Sequence, residues 1–345
     1  MQTTVGEARS AAQRLLEAAG MHEDAARRTA WALVMAEVWE KRSHGLLRLP
    51  FYLQRFAAGG ANPRAEVRLV ADSGPLVSYD GGNGLGHAQL WGACEEAAAR
   101  ARLYGIGGAA VGRSGHCGVL GLYTLPALDS GLAALVFSNG PAVMPPWGGH
   151  RPVLSTSPLA AGLPTRPRPI VVDLATSTVA RGRIAEAAAA GERLPAGWAF
   201  DSEGHPTDDP AAALAGMLAP MGGAKGFALA LVVEALTGGM IGPHLATRVA
   251  DPLSPAKAAE EQAISHLVLV VDPERLDVDG RWRERLEELA ASVIASGGRL
   301  PGAGHPLPDE VAGDDPLRLD DQLAARLGAH GRELGTQLPA GFVAG

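Results

Sequence analysis

Cysteine is almost missing from this chain of 345 residues, which has only Cys94 and Cys117. Two thiols cannot build a disulfide framework or a four-thiolate metal site. No run of about 18 apolar residues occurs, so no membrane-spanning helix is expected. The most apolar stretch, 227–240, is short and carries Glu234. Basic residues are outnumbered 30 to 37, a net charge of −7, whereas nucleic-acid binding usually shows a basic patch; no nucleic-acid partner is expected. The first 20 residues lack the basic-then-apolar pattern of a leader, and the expected setting is the cytoplasm.

Metal and nucleotide signatures are missing too. His87, His150 and His205 sit among Gly and Pro with no ligand spacing to one another, so they read as structural and no metal is expected. Gly82, Gly84 and Gly86 are dense in glycine but do not make a GxGxxG turn after a strand with an acidic residue about 20 positions on. The stretch from Gly112 to Gly121 fails the same test.

What is present suits a folded enzyme. With 47% hydrophobic and 19% charged residues the chain can bury a core, and its length suggests two lobes or one domain with a large insertion. Apolar residues at 3–4 spacing predict helices over 4–19, 23–39 and 48–58, then 89–102, 226–237, 282–295 and 320–335. Short apolar runs at 106–111, 132–138, 170–173 and 267–271 read as buried strands. Helices at both ends around a strand-rich middle predict a discontinuous helical lobe, 1–78 with 285–345, and an α/β domain over 79–284. Asp209 reads as the cap of a helix over 211–218, and Trp91, Trp147 and Trp198 as packing.

The densest chemistry lies in Ser43-His44-Gly45-Leu46-Leu47-Arg48. An imidazole titrates near neutrality, and a guanidinium fork matches a carboxylate. On a continuing helix His44 and Arg48 fall at i and i+4, on one face. That kit suits a carboxylate substrate whose neighbouring carbon gains or loses a proton; the alternative is a helix start with Ser43 as N-cap and Arg48 solvated. His116, bracketed by Gly115 and Cys117-Gly118 after a strand, stands where loops carry sites. Lys225 and Gly226, at the start of a helix, form a reasonable anion site. Asp173 at a strand end suits ribose hydroxyls or a local cap, and Asn139 suits a nicotinamide amide or a plain turn.

These stretches, together with Ser138-Asn139-Gly140-Pro141, Val172-Asp173-Leu174-Ala175-Thr176-Ser177, Pro195-Ala196-Gly197-Trp198 and Met221-Gly222-Gly223-Ala224-Lys225-Gly226, closely resemble the type-2 malate/L-lactate dehydrogenase family over roughly residues 5–305. That family also holds sulfolactate and ureidoglycolate dehydrogenases, diketogulonate reductase and the piperideine/pyrroline-2-carboxylate reductases. The resemblance implies an α/β, non-Rossmann NAD(P)-binding fold with a mixed sheet, a cofactor that is NAD or NADP, and a homodimer.

It also implies roles. His116, His44 and Ser43 fall in catalytic positions, with Arg48, Tyr52 and Met144 toward the substrate. His116, Asn139, Gly140, Ser157, Asp173, Leu174, Ala175, Thr176, Ser177, Lys225, Gly226, Gly302, Ala303 and Gly304 fall toward the cofactor. The expected reaction interconverts a small 2-hydroxy acid and its 2-oxo acid. Reduction of a cyclic imino acid is the alternative, and a catalytically silent binding protein on the same scaffold a second. Three departures stand out: Ser155-Thr156-Ser157-Pro158 where many members read Gly-Thr-Asn-Pro, Ala303 where a Glu is common, and Cys117 where an aromatic usually follows the loop His. The first two bear on NAD against NADP, the third on substrate shape.

Overall fold

The structure is a computed structural model, and it describes residues 1–252 and 254–342. Its first helix, Val5–Ala18, starts where Thr4 accepts Glu7 N–H and the Glu7 carboxylate takes Thr4 N–H, both at 3.2 Å. That reciprocal pair satisfies two orphan donors of the first turn. The face carrying Ala8, Ala12, Leu15 and Leu16 is fully buried against the Ala-rich Glu23–Val38 helix. Leu49 and Tyr52 from the Leu49–Ala58 helix complete that core with Leu323 and Leu327 from Asp321–Glu333. Residues Gln2–Thr4 also pair antiparallel with Pro316–Arg318, so the two chain ends share one structure.

Seven strands form one mixed sheet, in the spatial order Arg68–Asp72, Leu76–Asp80, Ile106–Ser114, Ile264–Val271, Ala133–Ser138, Leu159–Leu163, Ile170–Leu174. Only Leu76–Asp80 and Ile106–Ser114 run parallel; the other neighbours are antiparallel. The long Gly86–Tyr104 helix packs on the sheet, burying Leu90, Ala93, Ala97 and Ala101 against Ala109, Val111, Val268 and Val270. Gly107 is required there, because a Cβ would overlap the Ala97 carbonyl and come within 2.7 Å of Ala101 N.

All four strands read from the sequence lie in this sheet. Three others were not expected, for physical reasons. Arg68–Asp72 is exposed along its length and shows no alternation. Leu76–Asp80 follows it in a hairpin, so the sheet lies on both sides of the boundary expected at position 78. Leu159–Leu163 reads Leu-Ala-Ala-Gly-Leu, whose small residues carry little strand propensity. The Arg181–Ala190 helix was missed because it buries only Ile184. Asp209 does cap a helix, but that helix ends at Ala215, and Met217–Leu218 instead pairs with Ala199–Phe200 in a small second sheet. Among the described residues no helix is long and apolar enough to cross a membrane, and no cluster of His, Cys, Asp or Glu is arranged to hold a metal.

Because the C-terminal helix completes the N-terminal core, Leu327→Ala should destabilise the whole helical layer. The expected cost is about 2–5 kcal/mol, read as a lower urea midpoint followed by both tryptophan fluorescence and circular dichroism.

Candidate active site

His44 and Arg48 do not share the face of one α-helix. They sit on two short 3₁₀ turns, Arg42–His44 and Leu46–Arg48, separated by Gly45 with extended backbone (φ −94°, ψ −143°). The chain folds back on itself, and Arg48 Nε donates to the Ser43 carbonyl at 2.5 Å. This uses one of five guanidinium donors. Ser43 Oγ lies 3.0 Å from His44 Nδ1, so the hydroxyl orients that ring.

His116 arrives from the opposite side, on the loop after the Ile106–Ser114 strand. Its ring stacks on His44 with centroids 5.8 Å apart and planes 24° from parallel. The Tyr52 hydroxyl is 2.6 Å from His116 Nδ1. Tyr52 is buried, which raises its pKa and keeps it a phenol able to donate or accept. Behind this pair stands His87. The sequence reading placed it in a turn; the structure places it in the first turn of the Gly86–Tyr104 helix, 1% exposed, with both ring nitrogens unpartnered. Its ring meets Tyr52 at 5.4 Å and His116 at 6.5 Å, both edge-on. A fourth imidazole, His266, is held by Ser138 Oγ at 2.9 Å and Ser114 Oγ at 3.0 Å.

Burial dominates the electrostatics. It pushes His44 down to about 4, with the charges of Arg48 and Lys41 adding to the effect. His87 falls to about 3 and His266 to about 4, in both cases mainly by desolvation. His116 lies well below its ordinary value, first from burial and then from the Arg48 charge. Burial pushes the Cys117 thiol up to about 12 and the Asp173 carboxyl upward. At neutral pH the site therefore holds neutral imidazoles beside a charged guanidinium.

These groups open onto a cavity of about 330 Å³, within the usual range of small-molecule sites. Of the residues singled out in the sequence, Ser43, His44, Arg48, His116, Asn139, Gly140, Asp173, Leu174 and Ala175 line it. Others do not. Met144 is fully buried and paired with Leu154. Ser157, fully buried, bonds Ser155. Thr176 and Ser177 donate to the Thr156 and Val179 carbonyls. Lys225 is exposed on its helix and, with Gly226, outside the cavity wall. Gly302, Ala303 and Gly304 form a turn against the edge strand, where Val171 N–H donates to the Pro301 carbonyl at 3.3 Å. Asn139 lines the cavity, but its side-chain amide is committed elsewhere, accepting from Ser265 N–H at 2.9 Å and donating to the His244 carbonyl at 3.0 Å. An amide so occupied braces the loop rather than offering its side chain to a ligand.

Sequence reasoning missed Lys41, Arg181 and Gly182, which also line the cavity. Only the missed Arg181–Ala190 helix brings the last two there, where a Cβ on Gly182 would touch Ser43 Cβ at 3.4 Å. The set suits a nicotinamide nucleotide: Asp173 can accept from ribose hydroxyls, Lys41 and Arg181 offer cations for phosphate, and a Cβ on Gly140 would meet nothing nearer than Ser155 Cβ at 3.7 Å, so the backbone there is open to close approach.

A stability prediction follows from the four imidazoles. Each binds its proton less readily folded than unfolded, so its contribution is complete above pH 6.5 and is lost as pH falls toward 3–4. The slope is at most about 1.4 kcal/mol per pH unit for each group. Glu37, raised to about 7, opposes the trend, as do the raised Asp173 and Glu234 carboxyls, against the four imidazoles. Urea midpoints measured from pH 7 to 5 should fall, and His87→Leu should make the fall shallower.

The sequence profile of the family described as malate/L-lactate dehydrogenase matches residues 4–311. The (2R)-3-sulfolactate dehydrogenase (NADP(+)) of Chromohalobacter salexigens is 41% identical over 86% of this chain and 88% of its own. The Delta(1)-pyrroline-2-carboxylate/Delta(1)-piperideine-2-carboxylate reductase of Pseudomonas putida is 32% identical over 92% and 93%. The solved structure of sulfolactate dehydrogenase from Methanocaldococcus jannaschii superposes with a TM-score of 0.86 at 29% identity, covering 98% of each chain. A profile match over most of the chain, joined to the shared fold, means that this protein belongs to the malate/L-lactate dehydrogenase family of NAD(P)-dependent oxidoreductases.

Proposed function

We propose that this enzyme interconverts a small 2-hydroxy acid and its 2-oxo acid, with Arg48 holding the carboxylate and a histidine moving the proton. The observation that carries the reading is the meeting of Arg48, His44 and His116 on one cavity, with the two imidazoles 5.8 Å apart. The sulfolactate relative supports it. The Pseudomonas reductase supports the runner-up, reduction of a cyclic imino acid, whose carboxylate and C=N nitrogen the same Arg and His would serve.

In oxidation, neutral His116 takes the substrate hydroxyl proton, its ring held at Nδ1 by Gly118 N–H at 3.3 Å and by Tyr52 Oη at 2.6 Å. In reduction the imidazolium returns that proton to the developing alkoxide. NAD(P), when bound, accepts or supplies the hydride at C2. Arg48, fixed by its bond to the Ser43 carbonyl, sets the substrate's distance and angle; such positioning is worth several of the roughly 7–11 kcal/mol available from orientation. His44, steered by Ser43, stacks on His116 and is the second acid–base group. Asp173 and the backbone of 139–140 and 174–175 would hold the nucleotide, with NAD against NADP decided near Lys41 and Asp173.

The reading includes an architecture. The helical layer built from both chain ends carries the substrate residues, and the sheet-bearing middle carries the cofactor face through a site that is not a Rossmann turn. A largely antiparallel sheet supports this, since the Rossmann crevice needs parallel strands. It also includes a homodimer, supported by the exposed Leu231, Val232, Met240 and Leu245. Light scattering should give twice the chain mass at micromolar concentration, and a single-chain mass would refute the dimer.

Assays of 2-oxo acids and cyclic imino acids against NADH and NADPH test the chemistry. Arg48→Ala should lower kcat/KM about a hundredfold or more through loss of a desolvated charge pair, with cofactor KM little changed. His116→Ala should cut kcat by about 10²–10⁴. The free-enzyme imidazoles are already neutral at pH 7. Oxidation kcat/KM should therefore be flat from pH 6 to 8, while reduction kcat/KM falls about tenfold per unit. Normal turnover by Arg48→Ala and His116→Ala on the best substrate would end this reading.

A further inference from the structure

We propose that Glu37 is the positioning residue of this site: its carboxylate reaches across from the last turn of the Glu23–Val38 helix, binds Leu46 N–H, and so fixes the two turns that carry His44 and Arg48. This rests on the reading that those two residues face the substrate.

The bond is 2.7 Å from Leu46 N to Glu37 Oε1, and Glu37 is 7% exposed. Leu46 N–H is the first orphan donor of the Leu46–Arg48 turn, which has no side-chain cap of its own. The other bonds of the loop are mostly internal. His44 N–H goes to Lys41, Gly45 N–H to Arg42, Arg48 N–H to Gly45, and Arg48 Nε to Ser43. They make the loop rigid, and Lys41 N–H ties its start to the Ala36 carbonyl of the helix at 2.7 Å. Glu37 supplies the second tie, at the far turn, and Gly45 makes room for it: a Cβ there would overlap the Glu37 carboxyl and come within 3.1 Å of the Leu33 carbonyl. This explains the middle residue of Ser43-His44-Gly45 as well as the buried acid. A carboxylate withdrawn from water is costly, and here its burial directs one hydrogen bond at the backbone between the two functional side chains. Glu37 does not itself line the cavity, so its effect passes through the loop.

Three variants separate placement from mere stability. Glu37→Asp keeps the charge and withdraws the acceptor by one methylene, about 1.5 Å. Glu37→Gln keeps the reach and removes the charge. Glu37→Ala removes both. Glu37→Asp and Glu37→Ala should lower kcat/KM for the organic acid by about 10- to 100-fold, chiefly in its KM, while the KM for NAD(P)H stays within about twofold. Glu37→Gln should recover most of the wild-type value. If Glu37→Ala fails to fold, the Asp and Gln pair, matched for melting temperature, carries the comparison. Wild-type kinetics in Glu37→Asp beside an inactive Arg48→Ala would overturn this assignment and leave the proposed function standing. Damage in Glu37→Gln beside an unimpaired Glu37→Asp would also overturn it, by making charge rather than reach the determinant. An unimpaired Arg48→Ala would instead remove the reading on which the assignment rests.

Discussion

Withdrawing a guanidinium and three imidazole rings from water around a small cavity costs solvation that the fold must recover elsewhere. It does so unevenly. Arg48 keeps its charge and spends one donor on the Ser43 carbonyl. His44 and His116 each keep a single side-chain partner, Ser43 and Tyr52, and His87 keeps none. The rings can remain there only as neutral heterocycles, so desolvation sets their protonation before any substrate arrives. An incoming carboxylate reverses part of that balance, because an anion beside an imidazole favours the imidazolium. Substrate binding and the readiness of the acid are thereby coupled through the same field.

A second buried network braces the cofactor side. Glu234, in the Ala224–Glu234 helix, takes Ala246 N–H at 2.7 Å. Asn139 spans from Ser265 N–H to the His244 carbonyl. The loop after the Ala133–Ser138 strand is thus sewn to the segment at 242–246 and to the central strand. The Asn139 side chain thereby holds the shape of its own loop.

Much of the site was legible because its chemistry is contiguous in sequence. Ser43, His44 and Arg48 lie within six residues, and His116 stands in a glycine-bracketed loop after a plainly apolar strand. The strands at 106–114, 133–138, 170–174 and 264–271 announced themselves by short runs of Ile, Val, Leu and Ala. What was not legible depends on the third dimension. His87 carries no local sign that its helix ends at Tyr52 and His116. Glu37 looks like one more polar residue in an Ala-rich helix until Leu46 N–H folds back on it. Met144 and Ser157 belong to motifs beside the cavity, yet their side chains turn into the core. Arg181 could not be placed because its helix has almost no buried face to betray it. Motif position says which segment visits a site; packing decides which side chain looks in.

The central strand Ile264–Val271 runs between Ile106–Ser114 and Ala133–Ser138, and His266 clips Ser114 to Ser138 across it. The loops bearing His116 and Asn139 both leave from just beyond those clipped serines. In mechanical terms they are anchored to one plate and move together or not at all. The facing wall is made differently, from the self-bonded turns at 42–48 and the lightly buried start of the Arg181–Ala190 helix. The two walls are therefore set by separate means: the sheet side acts as an anvil that keeps the loops of His116 and Asn139 in fixed register, and the facing turns take their place from the helix through Glu37.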